Sequence, residues 1–202
     1  MSLEQRSYRE MPKILVLFHS RTGNTAALAD AIADGAGSVK FAEVEVRRIA
    51  DLAAPSAIEG DEQERSARAM LAKKYRTLES IDALVDYDAL VIGSPTRWGT
   101  ASAEVKQLLE QTAPLVQRGA LVDKVGSAFG TVAAPHGGLE TTIQSLLVPM
   151  MHLGMLIVPP AYTNPGAGAS EAELARRQGA RVAKVAEWVR HAKSHEGHGH
   201  KH

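Results

Sequence analysis

Five consecutive apolar residues, Ile14 to Phe18, run without a polar break into a turn of small hydroxylated residues, Ser20, Thr22 and Thr25, around Gly23. A run this short, apolar on every residue and sharply bounded, is what a parallel strand buried on both faces requires. The alanine-rich stretch Ala26 to Ala36 follows, with Leu28 and Ile32 four apart on one helical face. Strand, hydroxyl-rich turn and helix N-terminus together form an anion cradle, because turn N–H groups, hydroxyls and helix dipole converge on one point. The turn carries neither the Gly-Lys-Ser/Thr of a P-loop nor Gly-x-Gly-x-x-Gly, so it supports neither nucleotide hydrolysis nor a dinucleotide fingerprint. A capped turn with no ligand, Ser20 or Thr22 serving only as N-cap, stays open at this point.

The rest of the chain repeats the alternation. Val39 to Arg47 alternates apolar and charged residues as a half-buried strand, and Ala50 to Gly60 is loop. Glu62 to Glu79 is a charged surface helix with a thin apolar stripe of Met70, Leu71, Tyr75 and Leu78. Asp88 to Gly93 is a buried strand, followed by a helix from Ala103 to Gln111. Val125 to Val132 is a strand. Leu139 to His152 is a helix that Pro149 should kink or shorten. Met155 to Val158 is the last strand, and Glu171 to Lys193 a closing amphipathic helix. Strands alternating with helices imply an α/β fold, a doubly wound five-stranded parallel sheet in the order 2-1-3-4-5, with helices on both faces. In such sheets the ligand sits beyond the carboxyl ends of the strands, at the switch between strands one and three. The loops after Phe18, Gly93 and Val132 are thus expected to meet in one crevice.

Composition narrows the function classes. Lys plus Arg and Asp plus Glu number 23 each, giving zero formal net charge, which argues against a nucleic-acid partner. There is no cysteine, so disulfides, thiolate metal sites and thiol catalysis are excluded. No apolar run approaches the roughly 20 residues that span a bilayer, and Met1 to Glu10 has no signal-like apolar segment. The expectation is a cytoplasmic protein: an extension over 1–11, one domain over 12–193, and a flexible tail over 194–202. The tail's histidines (His195, His198, His200, His202) lack a second, rigid cluster, and no metal is expected.

The second and third loops carry ring-binding chemistry. In Ser94-Pro95-Thr96-Arg97-Trp98-Gly99, Pro95 sets a turn and Gly99 lets a flat ring approach the main chain. Trp98 offers an aromatic face and Arg97 a fixed cation. Gly130 to Gly138 offers small residues and the Thr131 hydroxyl; His136 reads as a solvated loop histidine that could also donate a proton.

Taken together these segments resemble the WrbA-type NAD(P)H:quinone oxidoreductases of the flavodoxin-like superfamily. The likeness spans Lys13 to about Ala192. It rests on Ser20 to Thr25, Gly93 to Gly99, Leu108 to Thr112, Gly137-Gly138, and Gly154-Met155-Leu156-Ile157-Val158-Pro159. The resemblance implies FMN as cofactor, NADH or NADPH as co-substrate, and two-electron reduction of a quinone by ping-pong hydride transfer through flavin N5. It also implies a homotetramer. Carried over by match, Ser20, Arg21, Thr22, Gly23, Asn24 and Thr25 would hold the phosphate, and Pro95, Thr96, Arg97, Trp98 and Gly99 the isoalloxazine ring. Thr131, Val132 and Ala133, with Gly137 and Gly138, would edge the ring. Trp98 and His152 are candidate gates. The family places a histidine directly before the Gly-Met of the last strand; here Leu153 stands there and His152 one residue earlier. The loop from Tyr162 to Ser170 is shorter than is usual for the family. Two rivals are a flavodoxin-type electron carrier, disfavoured by zero net charge, and a regulatory module on the same fold.

Overall fold

The computed structural model describes residues 11–52, 62–134, 136–160 and 169–196. Five parallel strands stand in the order β2-β1-β3-β4-β5, as expected. They are β1 (Lys13–Phe18), β2 (Glu43–Arg48), β3 (Ala89–Pro95), β4 (Val125–Thr131) and β5 (Leu156–Ile157). The helices are α1 (Asn24–Gly37), α2 (Glu62–Lys74), α3 (Ala103–Glu110), α4 (Ala113–Gln117), α5 (Leu139–His152) and α6 (Glu171–Glu196).

β1 and β3 are central and apolar because both their faces are covered. Ile14, Val16 and Phe18 pack against Ile32, Val182 and Ala186 of α1 and α6. Leu15 and Leu17 face the other way, onto Leu90, Ile92, Val105, Leu146 and Met150. The register sets Ile14 beside Ala89 and Phe18 beside Gly93. Gly93 is bare for a steric reason: a Cβ there would lie 2.1 Å from the ring of Phe129.

α1 and α6 form the most extensively packed pair of elements. They cross at glycines. A Cβ on Gly35 would stand 1.9 Å from the Arg176 carbonyl oxygen, and one on Gly179 would stand 1.9 Å from that of Ile32. α6 is tied to the sheet through buried Gln178, whose Nε2 donates to Ser127 Oγ at 2.9 Å and to the Ala128 carbonyl at 2.8 Å.

Several expectations are corrected. The second strand begins at Glu43, because Val39 to Ala42 is spent in a turn where Phe41 takes φ 66° and is half exposed. The charged helix ends at Lys74, after which Thr77 bridges to Arg48. It is more than a surface stripe: Arg68 is buried along with Leu71. Pro149 does not shorten α5, since Leu146 and Met150 on either side are fully buried and packing outweighs one lost helical bond. A 3₁₀ turn at Ile81–Asp86 and the short α4 were not anticipated. The expected extension before residue 12 (save Met11), most of the loops over 50–60 and 162–170, and the tail beyond Glu196 lie outside the described residues; Ser194 to Glu196 continue α6.

The glycine crossing makes a sharp prediction. Gly35→Ala or Gly179→Ala should each destabilise the fold by about 3 kcal/mol, at the upper end of overpacking costs. Gly37→Ala, in the same helix with nothing within 4 Å of the added Cβ, should be neutral or stabilising by about 0.5 kcal/mol. Urea unfolding midpoints of the three variants test this, and equal midpoints would remove the crossing as a steric constraint.

Candidate functional site

The loop after β1 is a cradle of neutral donors. Gly23 takes φ 98°, caps α1 without any side-chain hydrogen bond, and has open space where a Cβ would point. The first-turn N–H groups of α1 are thereby left bare and aimed outward. Ser20 Oγ accepts from the Gly23 N–H at 3.1 Å and stiffens the turn. Thr22 and Asn24 are exposed, while Ser20 and Thr25 are buried. Arg21, expected on the phosphate, turns aside: its Nε and Nη2 donate to the two Glu64 carboxylate oxygens on α2, both at 2.7 Å.

The second and third loops close on the first. Thr25 Oγ1 lies 2.8 Å from Thr131 Oγ1 at the end of β4, joining loop one to loop three. Pro95 pairs in register with Thr131, and the Thr96 N–H donates to the Thr131 carbonyl at 2.8 Å. Gly99, at φ 75°, and Gly138, at φ 86°, touch so closely that a Cβ on Gly138 would lie 2.8 Å from the Gly99 Cα. Trp98 sits at φ 54° with its side chain 93% exposed, and the Arg97 guanidinium rests 5.7 Å from its ring centroid. Thr96 Oγ1 is buried without a hydrogen-bond partner. A buried hydroxyl with nothing to bond beside an uncapped helix start fits a bound group that is anionic at one end and carries hydrogen-bonding edges at the other, as FMN does. Val132 and Ala133 follow at the open rim; Gly137 leads into Gly138, and His136, at φ 58°, is exposed there.

His152 is not brought to this crevice. It ends α5, next to Leu153 and Gly154, and the Gly154 carbonyl accepts from the Asp123 N–H just before β4 begins. That is the opposite end of the sheet from Thr131.

Beneath the cradle lies a cluster that residue-by-residue reading passed over. His19, directly after β1, is 1% exposed. Its Nε2 is 3.3 Å from Asp51 Oδ1, and its Nδ1 is 2.9 Å from Ser102 Oγ and 3.5 Å from Glu104 Oε2. Asp51 accepts from Arg68 Nη1 at 2.8 Å and Arg48 Nη1 at 3.0 Å, and Arg68 Nη2 donates to Glu64 at 2.6 Å. A chain of polar contacts and ion pairs thus runs Glu104–His19–Asp51–Arg68–Glu64–Arg21 and returns to the cradle it started under. The available signal was position, since Asp51 lies three residues past β2, where strand carboxyl ends collect functional groups. His19, Asp51 and Glu104 present ligand atoms within 4.8 Å of one another. With both Asp51 oxygens already held by guanidinium groups, the cluster is an ion-pair lattice and not a cation seat.

Burial pushes the Asp51 carboxyl up, but hydrogen bonds from His19 and Arg48 and the charge of Arg68 outweigh it and hold the pKa at about 2, against 3.8 ordinarily. The hydrogen bond from Arg21 likewise holds Glu64 below its usual range, against burial. A carboxylate depressed in the folded state adds stability that is complete above its unfolded pKa and lost as pH falls through the folded one. For Asp51 that contribution is on the order of 2 kcal/mol. Asp51→Asn should cost about 3 kcal/mol at pH 7, since it strands buried cations. Its deficit against the unmodified protein should shrink as pH falls from roughly 4 to 2. Unfolding curves at several pH values check both; a deficit constant across that window would mean Asp51 is not depressed.

A family model described as NADPH-dependent FMN reductase matches residues 12–169. An NAD(P)H dehydrogenase (quinone) from Archaeoglobus fulgidus is 39% identical, the match covering 88% of this chain and 98% of the relative. Among solved structures, a WrbA-like flavodoxin protein from Agrobacterium tumefaciens superposes with a TM-score of 0.64 at 26% identity, over 88% of this chain and 98% of that one. Oxidised Flavodoxin 2 from Bacillus cereus, at 17% identity and a TM-score of 0.58 over 86% and 99% of the two chains, shares the fold alone. The loops that set the crevice therefore sit on a flavodoxin-like frame with WrbA-type relatives, and the chain belongs to the NADPH-dependent FMN reductase family.

Proposed function

We propose that the protein is an FMN-dependent NAD(P)H:quinone oxidoreductase. The observation that carries this reading is the meeting of three loops at the carboxyl edge of the sheet: Thr25 on Thr131, Thr96 on Thr131, and Gly99 on Gly138. It agrees with the family match and with the quinone dehydrogenase relative.

When bound, FMN would supply two-electron hydride chemistry between a nicotinamide and a quinone. The chain's own residues do the rest. Ser20, Thr22, Gly23, Asn24 and Thr25, with the bare amides of α1, bind the terminal phosphate through neutral donors; Arg21 contributes its main chain while its guanidinium stays on Glu64. Neutral donors suit a single phosphomonoester bound without a metal. Pro95 to Gly99 would seat the ring, beside the Thr96 hydroxyl that has no protein hydrogen-bond partner. Thr131, Val132, Ala133, Gly137 and Gly138 line its edge, where small side chains leave main chain to contact it. The exposed face of Trp98 is positioned to stack on whichever substrate is present, which orients the reacting carbons and excludes water.

Assembly as a homotetramer belongs to the same reading. Val148, Met151 and Leu156 are exposed apolar residues near the β5 edge, on the side where His152 emerges. A neighbouring copy covering them would remove apolar area from water and place His152 over another crevice. A dependence on nicotinamide reductant supports a cytoplasmic setting. Among the described residues no helix is long and apolar enough to cross a membrane.

Protein reconstituted with FMN should lose its flavin absorbance within seconds of NAD(P)H addition under anaerobic conditions, and regain it on adding benzoquinone. Bleaching on the scale of hours would favour an electron carrier, and failure to take up FMN would favour a binding module. Thr25→Val removes one cradle hydroxyl and unpairs Thr131; FMN affinity should fall about tenfold, as for a lost hydrogen bond to a charged group. Fluorescence titration of free FMN measures it.

A further inference from the structure

Helix α6 runs from the carboxyl edge of the sheet, where Gln178 bonds Ser127 and Ala128, to the amino edge. There Arg190 Nη1 donates to both carboxylate oxygens of Asp88, at 2.9 and 2.7 Å, and Lys193 Nζ donates to the Asp123 carbonyl at 3.3 Å. Asp88 stands directly before β3 and Asp123 two residues before β4, so the last turns of α6 are pinned to the sheet. His191 lies between these two anchors and His195 just beyond them, both exposed. A spacing of four puts them one helical turn apart on one face. Their rings meet there, with centroids 4.5 Å apart and planes at 73°. The sequence groups His195 with the tail histidines; the fold instead pairs it with His191 on a rigid helix.

Two imidazoles so placed are a chelate made in advance. A tetrahedral cation with nitrogen ligands at about 2.0–2.1 Å sets neighbouring nitrogens about 3.3 Å apart. Rings already in contact reach that separation by turning about their own side-chain bonds, with no movement of the backbone. Histidines at this spacing on a helix hold zinc in metalloproteases for the same reason. The end of the helix adds to the attraction, because its last carbonyls carry the negative end of the dipole. One of them, that of His191, accepts from Ser194 Oγ at 2.7 Å, which stiffens the turn between the two rings. Glu187, one turn before His191 on the same stripe, brings a carboxylate to the neighbourhood. Imidazole donors in a chain without cysteine select borderline cations over magnesium and calcium, which prefer oxygen ligands.

We propose that His191 and His195 form a binding site for a borderline divalent transition metal, Zn²⁺, Ni²⁺ or Cu²⁺, at the amino edge of the sheet. The site lies at the other end of the molecule from the flavin crevice and is independent of its chemistry. The helical pair is the fixed half of the coordination sphere, and water fills the remainder. His198, His200 and His202 follow within seven residues of His195 and are a local supply of further imidazoles. A cation bridging two successive turns also holds the end of α6 in helix, so that binding and local stability are linked.

Calorimetric titration with Zn²⁺ tests the site on the full chain carrying His198→Ala, His200→Ala and His202→Ala, which isolates the pair from the tail. One Zn²⁺ per chain should bind. Adding His191→Ala or His195→Ala should weaken binding about tenfold or more, since the chelate falls to a single imidazole. A last variant exchanges two neighbours, Lys193→His with His195→Lys. It keeps the number of histidines and the charge but puts the second ring on another side of the helix, because residues two apart do not face each other. It should lose as much affinity as His195→Ala. Absence of Zn²⁺ binding once the tail histidines are removed, or an affinity that survives His191→Ala or the exchange of positions, overturns the site.

Discussion

The crossing of α1 over α6 sets the geometry on which the site depends. Two glycines, Gly35 and Gly179, let the helix backbones meet with no side chain between them. The first fourteen-residue helix is thereby pinned at one end by its neighbour and at the other by β1, from which it emerges. An anion site made from a helix N-terminus is only as well placed as the helix axis. Gln178 extends the constraint to the sheet by bonding Ser127 and Ala128 on β4, the strand that ends in Thr131. The Thr25–Thr131 contact is the far end of that same chain of positioning.

Under the cradle, the chain of polar contacts and ion pairs from Glu104 to Arg21 does a second kind of work. α2 buries only Arg68 and Leu71, too little apolar area to hold a thirteen-residue charged helix firmly. Arg68 and Glu64 supply the missing attachment by pairing with Asp51 and Arg21. Buried charges of this sort bring little net stability against an apolar substitute, but they fix partner and register, since every alternative leaves a charge unpaired. The consequence for the site is that the Arg21 guanidinium is held away from the cradle and becomes a wall of the next cavity.

Much of this was legible in the chain itself. The unbroken apolar runs Ile14–Phe18 and Ala89–Ile92 could only be strands covered on both faces, and their alternation with helical segments implied a parallel sheet with crossovers. Helix α5 has the expected bounds, Leu139 to His152, although Pro149 was expected to kink or shorten it. That three loops meet at the carboxyl edge was also identifiable, since the switch-point rule converts strand order into an address for the loops. Where expectation erred, the cause was non-local. Phe41 turns outward because Val39 to Ala42 must close a tight connection, and Pro149 stays in helix because its neighbours are buried by another element.

By itself, then, the sequence determined the five strands, the sheet order and which loops gather at the carboxyl edge of the sheet, because those follow from hydrophobic period and turn composition within short windows. Tertiary structure alone decided which charges meet. His19, Asp51, Arg68 and Glu104 are spread over 86 positions (19 to 104) and carry no shared local pattern; only the carboxyl edge of the sheet collects them. The same is true of Arg21, whose turn toward Glu64 depends on a helix more than forty residues away. It is true as well of His152, which the length of α5 carries to the other end of the molecule. Short-range sterics and burial write themselves into sequence period; pairing of charges does not, since a guanidinium can answer any carboxylate the fold brings within reach.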